Sequence, residues 1–105
     1  MQTTRKDRLI LDGIPRYIRC YDNGGATADR YTVAFTGRYR GRPVGRTEYV
    51  GMSAYPFHPQ GFGQHGEADG YYRGATGEKR INFRDLPPDC QRLVISDYKE
   101  IWGIK

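Results

Sequence analysis

One segment of the chain repeats its apolar residues with a helical period, and this feature limits the fold more than any other. Its apolar side chains are spaced 4, 3, 1, 4, 3 and 1 residues apart, at Leu86, Cys90, Leu93, Val94, Tyr98, Ile101 and Trp102. This spacing places them on one face of an α-helix. We expect a helix over residues 86–102, with Asp85 as its N-cap, Gly103 as its C-cap, and Tyr98 and Trp102 as core anchors.

Upstream of this helix, the apolar residues alternate with other side chains, which is typical of β-strands. The strand candidates are Leu9–Leu11, Arg16–Asp22, Arg30–Thr36, Thr47–Ala54 and Arg80–Phe83. Successive strands with local connections favour antiparallel pairing. The sequence therefore predicts an α+β fold, in which about four to five antiparallel strands form a sheet and the C-terminal amphipathic helix packs on it.

The length and composition indicate one small domain over residues 1–105. Residues 1–8 are polar, and we expect them to be flexible. No aliphatic run is longer than the three residues of Leu9–Leu11, whereas a helix that spans a membrane needs roughly 20 apolar residues. The N-terminus has no apolar leader segment. We therefore expect a cytoplasmic protein without a membrane partner.

Two cysteines, Cys20 and Cys90, lie on the predicted apolar faces of a strand and of the helix. Two cysteines without a secretory leader do not make a disulfide framework. We expect both to be reduced, small core residues. A catalytic thiol paired with His58 or His65 is the alternative.

The net charge of +5 comes from a single segment. Between residues 30 and 46 there are five arginines and no Asp, Glu or Lys: Arg30, Arg38, Arg40, Arg42 and Arg46. Residues 37–46 also contain three glycines and a proline, which predicts a basic hairpin tip. Arginine presents a planar fork of donors that suits phosphate and carboxylate groups. Together with Arg73, these arginines form a predicted anion-binding set for nucleic acid, a nucleotide or an acidic protein surface.

Residues 55–79 contain no Val, Ile, Leu or Met, but include six glycines and both histidines of the chain. We interpret this segment as a long loop of glycine and aromatic residues. Its predicted ligand contacts are Tyr55, Phe57, His58, Gln60, Phe62, Gln64, His65, Tyr71 and Tyr72. The aromatic rings either stack on nucleic-acid bases or fill a core that is short of aliphatic residues.

Three interpretations of His58, His65 and Glu67 remain open. They are metal ligands, or general acid and base groups for phosphodiester cleavage, or polar members of an ordered loop. Their spacing matches no strong metal-binding signature, so we predict no metal and no cofactor.

Several strings of the chain are similar to those of small uncharacterised accessory proteins of phages, prophages and plasmids. The resemblance covers most of residues 16–102, and it is carried by Tyr21–Gly25 (YDNGG), Asp29–Val33 (DRYTV), Pro56–Glu67 (PFHPQGFGQHGE), Asp85–Pro87 and Asp89–Gln91. It implies no activity, but it does imply the genetic context of a mobile element. In that context anti-defence inhibitors, anti-CRISPR proteins among them, are common, and a host defence protein is an expected partner.

Three functions follow as hypotheses. The first is a non-enzymatic binding protein that uses the arginine-rich hairpin. The second is a small nuclease or metal-assisted phosphodiesterase that depends on His58, His65 and Glu67. The third is a structural or scaffold protein that forms a homo-oligomer and whose basic patch is incidental.

Overall fold

The computed structural model describes residues 8–55, 61–74 and 77–104. These residues form seven strands, a short 3₁₀ turn (Phe83–Asp85) and one helix. The strands are β1 (Ile10–Leu11), β2 (Ile14–Pro15), β3 (Ile18–Asp22), β4 (Tyr31–Phe35), β5 (Arg46–Met52), β6 (Gly63–Asp69) and β7 (Lys79–Ile81), and the helix is α1 (Pro88–Trp102). The predicted α+β class, with an antiparallel sheet and one C-terminal helix, is confirmed.

The main sheet has five strands in the order β6-β5-β4-β3-β7, and every neighbouring pair is antiparallel. β1 and β2 form a separate two-stranded sheet. Cys20, Val33, Val50 and His65 are paired in register across the four longer strands. Because paired residues point to the same side of a sheet, this row of residues marks one face.

That face is covered by α1, and we call it the helix face. Tyr98 lies at its centre, fully buried, and its hydroxyl donates a hydrogen bond to the Leu9 carbonyl at 2.8 Å. Trp102 packs against the core and has its ring 5.7 Å from that of Tyr39. The buried members of the core are Leu9, Cys20, Tyr31, Val33, Phe35, Tyr39, Val50, Met52, Phe83, Leu86, Cys90, Val94 and Tyr98.

Both cysteines are free and buried in this core, as the sequence predicts. Burial raises the pKa of the Cys20 thiol to about 12 and that of the Cys90 thiol to about 11. A thiol with so high a pKa is a poor nucleophile at neutral pH, which agrees with a packing role for both residues.

The opposite face of the sheet is built mainly from tyrosine rings, and we call it the tyrosine face. Tyr21 of β3 and Tyr49 of β5 lie on it, and the segment Tyr71–Gly74 crosses over them. The ring of Tyr72 is 5.2 Å from that of Tyr21 and 5.3 Å from that of Tyr49. The Tyr72 hydroxyl donates to Glu78 Oε1 at 2.7 Å. The central residues of this face are therefore buried without a second helix.

The start of the helix differs from the prediction. α1 begins at Pro88 rather than at Leu86, and Asp85 does not cap it. Instead, the Asp85 carboxylate accepts a hydrogen bond from the Asn82 amide at 2.9 Å, within the 3₁₀ turn. The two prolines explain this outcome, because a residue that precedes proline is disfavoured in the helical conformation. Gly103 ends the helix with a φ of 68°, as predicted.

The prediction of a loop over residues 55–79 is wrong for β6, which pairs with β5 along its whole length. A strand at the edge of a sheet can form with few aliphatic residues, because its outer side faces solvent and the neighbouring strand, here β5, provides the partners for its backbone hydrogen bonds. Glycine is also required here for close packing. A Cβ atom on Gly63 would lie 2.8 Å from Leu93, and one on Gly66 would lie 2.7 Å from the Tyr49 ring.

Candidate anion-binding surface

The basic hairpin tip that the sequence predicts connects β4 to β5, and Arg42 holds it together from inside. The Arg42 guanidinium donates to the Gly37 carbonyl, to the Arg46 carbonyl at 3.4 Å and to the Thr47 hydroxyl at 3.4 Å. Gly37 has a φ of 87°, a conformation that glycine adopts without strain. Arg42 therefore stabilises the hairpin and also adds a positive charge to it.

Arg46 is paired with two carboxylates of the neighbouring edge strand. Its guanidinium lies 3.3 Å from Glu67 and 3.4 Å from Asp69. Both contacts are exposed, so each stabilises the fold only weakly. Their main consequence is that they hold the Arg46 guanidinium in place and neutralise part of the negative charge of β6.

Arg38 and Arg40 are exposed on the hairpin, and neither forms an ion pair within the described part of the chain. Arg38 lines a depression of about 570 Å³ whose other walls include Arg42, Arg46 and Tyr71. Arg40 lies on the same tip, outside this lining. The hairpin thus presents several guanidinium groups around one concave site.

Tyr71 connects this depression to two further arginines. Its side chain is 46% exposed. The Arg19 guanidinium lies 4.3 Å from the centre of the Tyr71 ring, and the Arg73 guanidinium lies 5.8 Å from it. Both distances fall within the range of cation–π contacts. We call the resulting set the Arg–Tyr surface: Arg19, Arg38, Arg42, Arg46, Tyr71 and Arg73.

Arg19 is absent from the set of residues that the sequence predicts. It lies on β3, and its side chain points to the tyrosine face, whereas the next residue, Cys20, points into the core. The strand pattern over residues 16–22 contains this signal, because Tyr17, Arg19 and Tyr21 alternate with the apolar residues. What the sequence does not show is that Tyr71 comes to lie against Arg19.

Arg30 lies away from the Arg–Tyr surface, since it precedes β4 while the hairpin follows it. Its guanidinium forms a two-contact ion pair with Asp22, with N–O distances of 2.9 and 3.2 Å. This hydrogen bonding from Arg30 lowers the pKa of the Asp22 carboxyl. Tyr55, which is exposed, lines a shallow depression together with Arg30. The structure therefore places Arg30 and Tyr55 together, apart from the hairpin.

His65 and Glu67 lie on the helix face of β6, on the other side of the sheet from Tyr49 and Tyr72. The His65 Nε2 atom is 2.7 Å from Asp97 of α1. The groove beside it has a volume of about 330 Å³ and is lined by four carboxylates, those of Glu48, Glu67, Asp97 and Glu100. Such a lining repels a phosphodiester. Among the described residues, no three His, Cys, Asp or Glu side chains are placed to hold a metal ion.

The remaining predicted contacts are divided between several environments. Gln64 is exposed on the tyrosine face, and Phe62 packs against the core. Tyr72 is half-buried, and its pKa is raised by burial and by the hydrogen bond to Glu78. Phe57, His58 and Gln60 lie outside the described residues.

Comparisons with protein-family models, with curated proteins and with solved structures find no match to this chain. Within residues 8–55, 61–74 and 77–104, no helix is long and apolar enough to cross a membrane. The functional interpretation therefore depends on the geometry of the Arg–Tyr surface.

Proposed function

We propose that this protein is a small non-enzymatic binding protein that engages single-stranded nucleic acid through the Arg–Tyr surface. The observation that supports this most directly is the position of Tyr71. Its half-exposed ring lies between Arg19 and Arg73, and it also forms a wall of the depression beside Arg38. Basic and aromatic groups are thus interleaved on one continuous surface.

The two kinds of group have complementary roles in this proposal. Guanidinium groups form charge-assisted hydrogen bonds with phosphate oxygens, often through two parallel contacts. An exposed aromatic ring stacks on a base, and each such contact contributes about 1–3 kcal/mol. Arg42 is held inside the hairpin and adds a fixed positive charge, whereas the charge of Arg46 is balanced by Glu67 and Asp69. Arg38 is exposed and is available to contact phosphate.

The single-stranded form is favoured because its bases are accessible to a ring such as Tyr71. In a duplex the base faces are stacked on one another, and only phosphates and groove edges remain exposed. The resemblance to accessory proteins of phages and plasmids extends the proposal to a cytoplasmic, anti-defence setting. There the protein would compete for a nucleic acid that a host defence protein uses.

The proposal is tested by fluorescence anisotropy with labelled single-stranded DNA and RNA over a series of salt concentrations. One variant combines Arg19→Ala, Arg38→Ala and Arg73→Ala. A matched control combines Arg84→Ala, Arg92→Ala and Lys99→Ala, which removes the same net charge from the 3₁₀ turn and α1. We expect the wild-type affinity to fall with salt, with a log–log slope of about −0.7 for each neutralised phosphate.

We also expect the first variant to lose about tenfold or more in affinity, the equivalent of one charge-assisted hydrogen bond or more, while the control loses much less. Equal losses in the two variants would contradict the proposal, because binding would then depend on net charge and not on the Arg–Tyr surface. An affinity that does not change with salt would also contradict it. Binding of mononucleotides or acidic proteins in place of oligonucleotides would assign the surface to a different ligand.

A further inference from the structure

The two edges of the main sheet are built very differently. The β7 edge has only three residues, of which two are Lys79 and Arg80. The β6 edge has seven residues and contains no Lys, Arg or Pro. Short length, charged side chains (lysine above all) and proline are the usual means by which a protein prevents an edge strand from pairing with another chain. β7 is short and carries two cations, whereas β6 is long, and its charged side chains are the carboxylates of Glu67 and Asp69.

Within residues 8–55, 61–74 and 77–104, the backbone groups of β6 that have no partner can be identified from the hydrogen bonds at the two ends of the strand. The Ser53 amide donates to the Phe62 carbonyl at 2.8 Å, and the Gly70 amide donates to the Gly45 carbonyl at 2.6 Å. In an antiparallel ladder, hydrogen-bonded pairs alternate with pairs that are not bonded. The even-numbered residues of β6 therefore bond to β5. The backbone groups of its odd-numbered residues, Gly63, His65, Glu67 and Asp69, point outward from the sheet.

We propose that β6 pairs antiparallel with β6 of a second copy of this chain, about a two-fold axis at Gly66. This register places His65 opposite Glu67 of the second copy and Gly63 opposite Asp69. Both pairs join odd-numbered residues, so outward-pointing groups meet outward-pointing groups and can exchange backbone hydrogen bonds.

Charge selects this register over its neighbours. An axis at Glu67 would place two Glu67 carboxylates directly opposite each other, and an axis at His65 would place two imidazoles opposite each other. Like charges opposite each other destabilise a strand pair, whereas unlike groups stabilise it. The axis at Glu67 would also place His65 opposite Asp69 of the second copy, but together with the unfavourable Glu67 pair. Of these three axes, only the one at Gly66 places the imidazole opposite a carboxylate without placing two like side chains of His65 or Glu67 opposite each other.

The two acidic side chains of the edge do not prevent this pairing, because Arg46 partly neutralises both of them from within the sheet. It lies 3.3 Å from Glu67 and 3.4 Å from Asp69. A two-fold axis perpendicular to the sheet also keeps equivalent faces together. The dimer would therefore have one continuous sheet, with both helices on one side and both tyrosine faces on the other.

The test measures molar mass by light scattering and sedimentation velocity over a wide range of protein concentration. Glu67→Pro removes an outward amide, a position at which edge strands accept proline. Arg80→Pro is the matched control on the other edge. The Asn23 amide donates to the Arg30 carbonyl and the Thr36 amide donates to the Tyr17 carbonyl, so the odd-numbered residues of β3 bond to β4. The even-numbered residues of β3 therefore bond to Ile81 and Lys79 of β7, and the Arg80 amide between them points outward. We expect the wild type and Arg80→Pro to reach twice the chain mass and Glu67→Pro to remain monomeric.

A second measurement does not depend on any variant. Amide hydrogen exchange of the wild type, followed by NMR, should show two classes in β6. The amides of Gln64, Gly66 and Ala68 bond to β5 and should be protected at every concentration, whereas those of His65, Glu67 and Asp69 should become protected only as the dimer forms. A wild type that stays monomeric would overturn the proposal, as would a dimer in which the odd-numbered amides exchange freely. A Glu67→Pro variant that still dimerises would overturn it too.

Discussion

The two faces of the main sheet are covered by different kinds of side chain. On the helix face, Val33, Val50 and Val94 are fully buried between the sheet and α1. On the tyrosine face, the chain covers its own sheet with the segment Tyr71–Gly74, and arginines surround the tyrosine rings. We therefore expect the helix face to supply most of the stability, whereas the tyrosine face leaves arginine side chains and the Tyr71 ring accessible to a ligand. Substitutions on the two faces should accordingly affect different measurements.

The largest effect on stability should come from Tyr98 on the helix face. Replacing a large buried aromatic residue by alanine costs about 3–5 kcal/mol, so Tyr98→Ala should lower the free energy of unfolding by this amount in urea denaturation. Tyr98→Phe is the matched control, because it removes only the hydroxyl that bonds the Leu9 carbonyl. Its cost should be about 1–3 kcal/mol. Equal costs for the two variants would show that the hydroxyl contributes more than the packing of the ring.

A smaller effect is expected at Gly66, where the tyrosine face is tightly packed. A Cβ atom at this position would lie 2.7 Å from the Tyr49 ring, and overpacking typically costs about 1–3 kcal/mol. Gly66→Ala should therefore lower the melting temperature, whereas Gln64→Ala on the same face should change stability by less than about 0.5 kcal/mol. A Gly66→Ala variant as stable as the wild type would show that Tyr49 moves aside freely.

The arginines of the hairpin should separate into a structural class and a binding class. Arg42→Ala removes contacts to Gly37, Arg46 and Thr47 and should cost about 1 kcal/mol of stability. Arg38→Ala should leave stability within about 0.5 kcal/mol and still weaken oligonucleotide binding. Thermal denaturation and anisotropy on the same samples check both statements. If Arg38→Ala unfolded the hairpin, the division into two classes would fail.

The smallest expected effect concerns Asp22 and the dependence of stability on pH. Its pKa is lowered in the folded state by the hydrogen bonds from Arg30, so its contribution is present above the unfolded-state pKa of about 3.9. This contribution disappears as the pH falls through the folded-state pKa. The wild type should thus exceed Asp22→Asn in stability at neutral pH, and the difference should vanish in acid. A difference that persists at low pH would contradict the assignment.

The sequence predicts those parts of the fold that have a local signal. The helical spacing of Cys90, Val94 and Tyr98 is confirmed, because these residues are buried on one face of α1. The strand over residues 30–36 is confirmed as β4, which is buried on both of its faces. The position of Gly103 follows from helix-ending chemistry. The first turn of the helix is predicted wrongly, since the pattern of apolar residues does not include the effect of Pro87 and Pro88 on the residues before them.

The strand β6 and the centre of the candidate site could not be predicted in this way. β6 pairs at an edge and is kept in place by β5, so its own sequence has no apolar alternation. Tyr71 meets Arg19 only because the chain crosses the sheet after Gly70, and contacts between residues so distant in sequence leave no local pattern. The cluster of hairpin arginines was visible in the sequence, but the pairing of Arg46 with Glu67 and Asp69 was not.

The division between the two faces is tested most directly by an NMR titration of the isotopically labelled protein with a single-stranded oligonucleotide. We predict that the amide shifts change at Arg19, Arg38, Tyr71 and Arg73, while those of α1 and of the groove around His65 stay unchanged. Shifts confined to His65, Asp97 and the neighbouring residues of α1 would contradict this account, and so would the absence of any shift at saturating oligonucleotide.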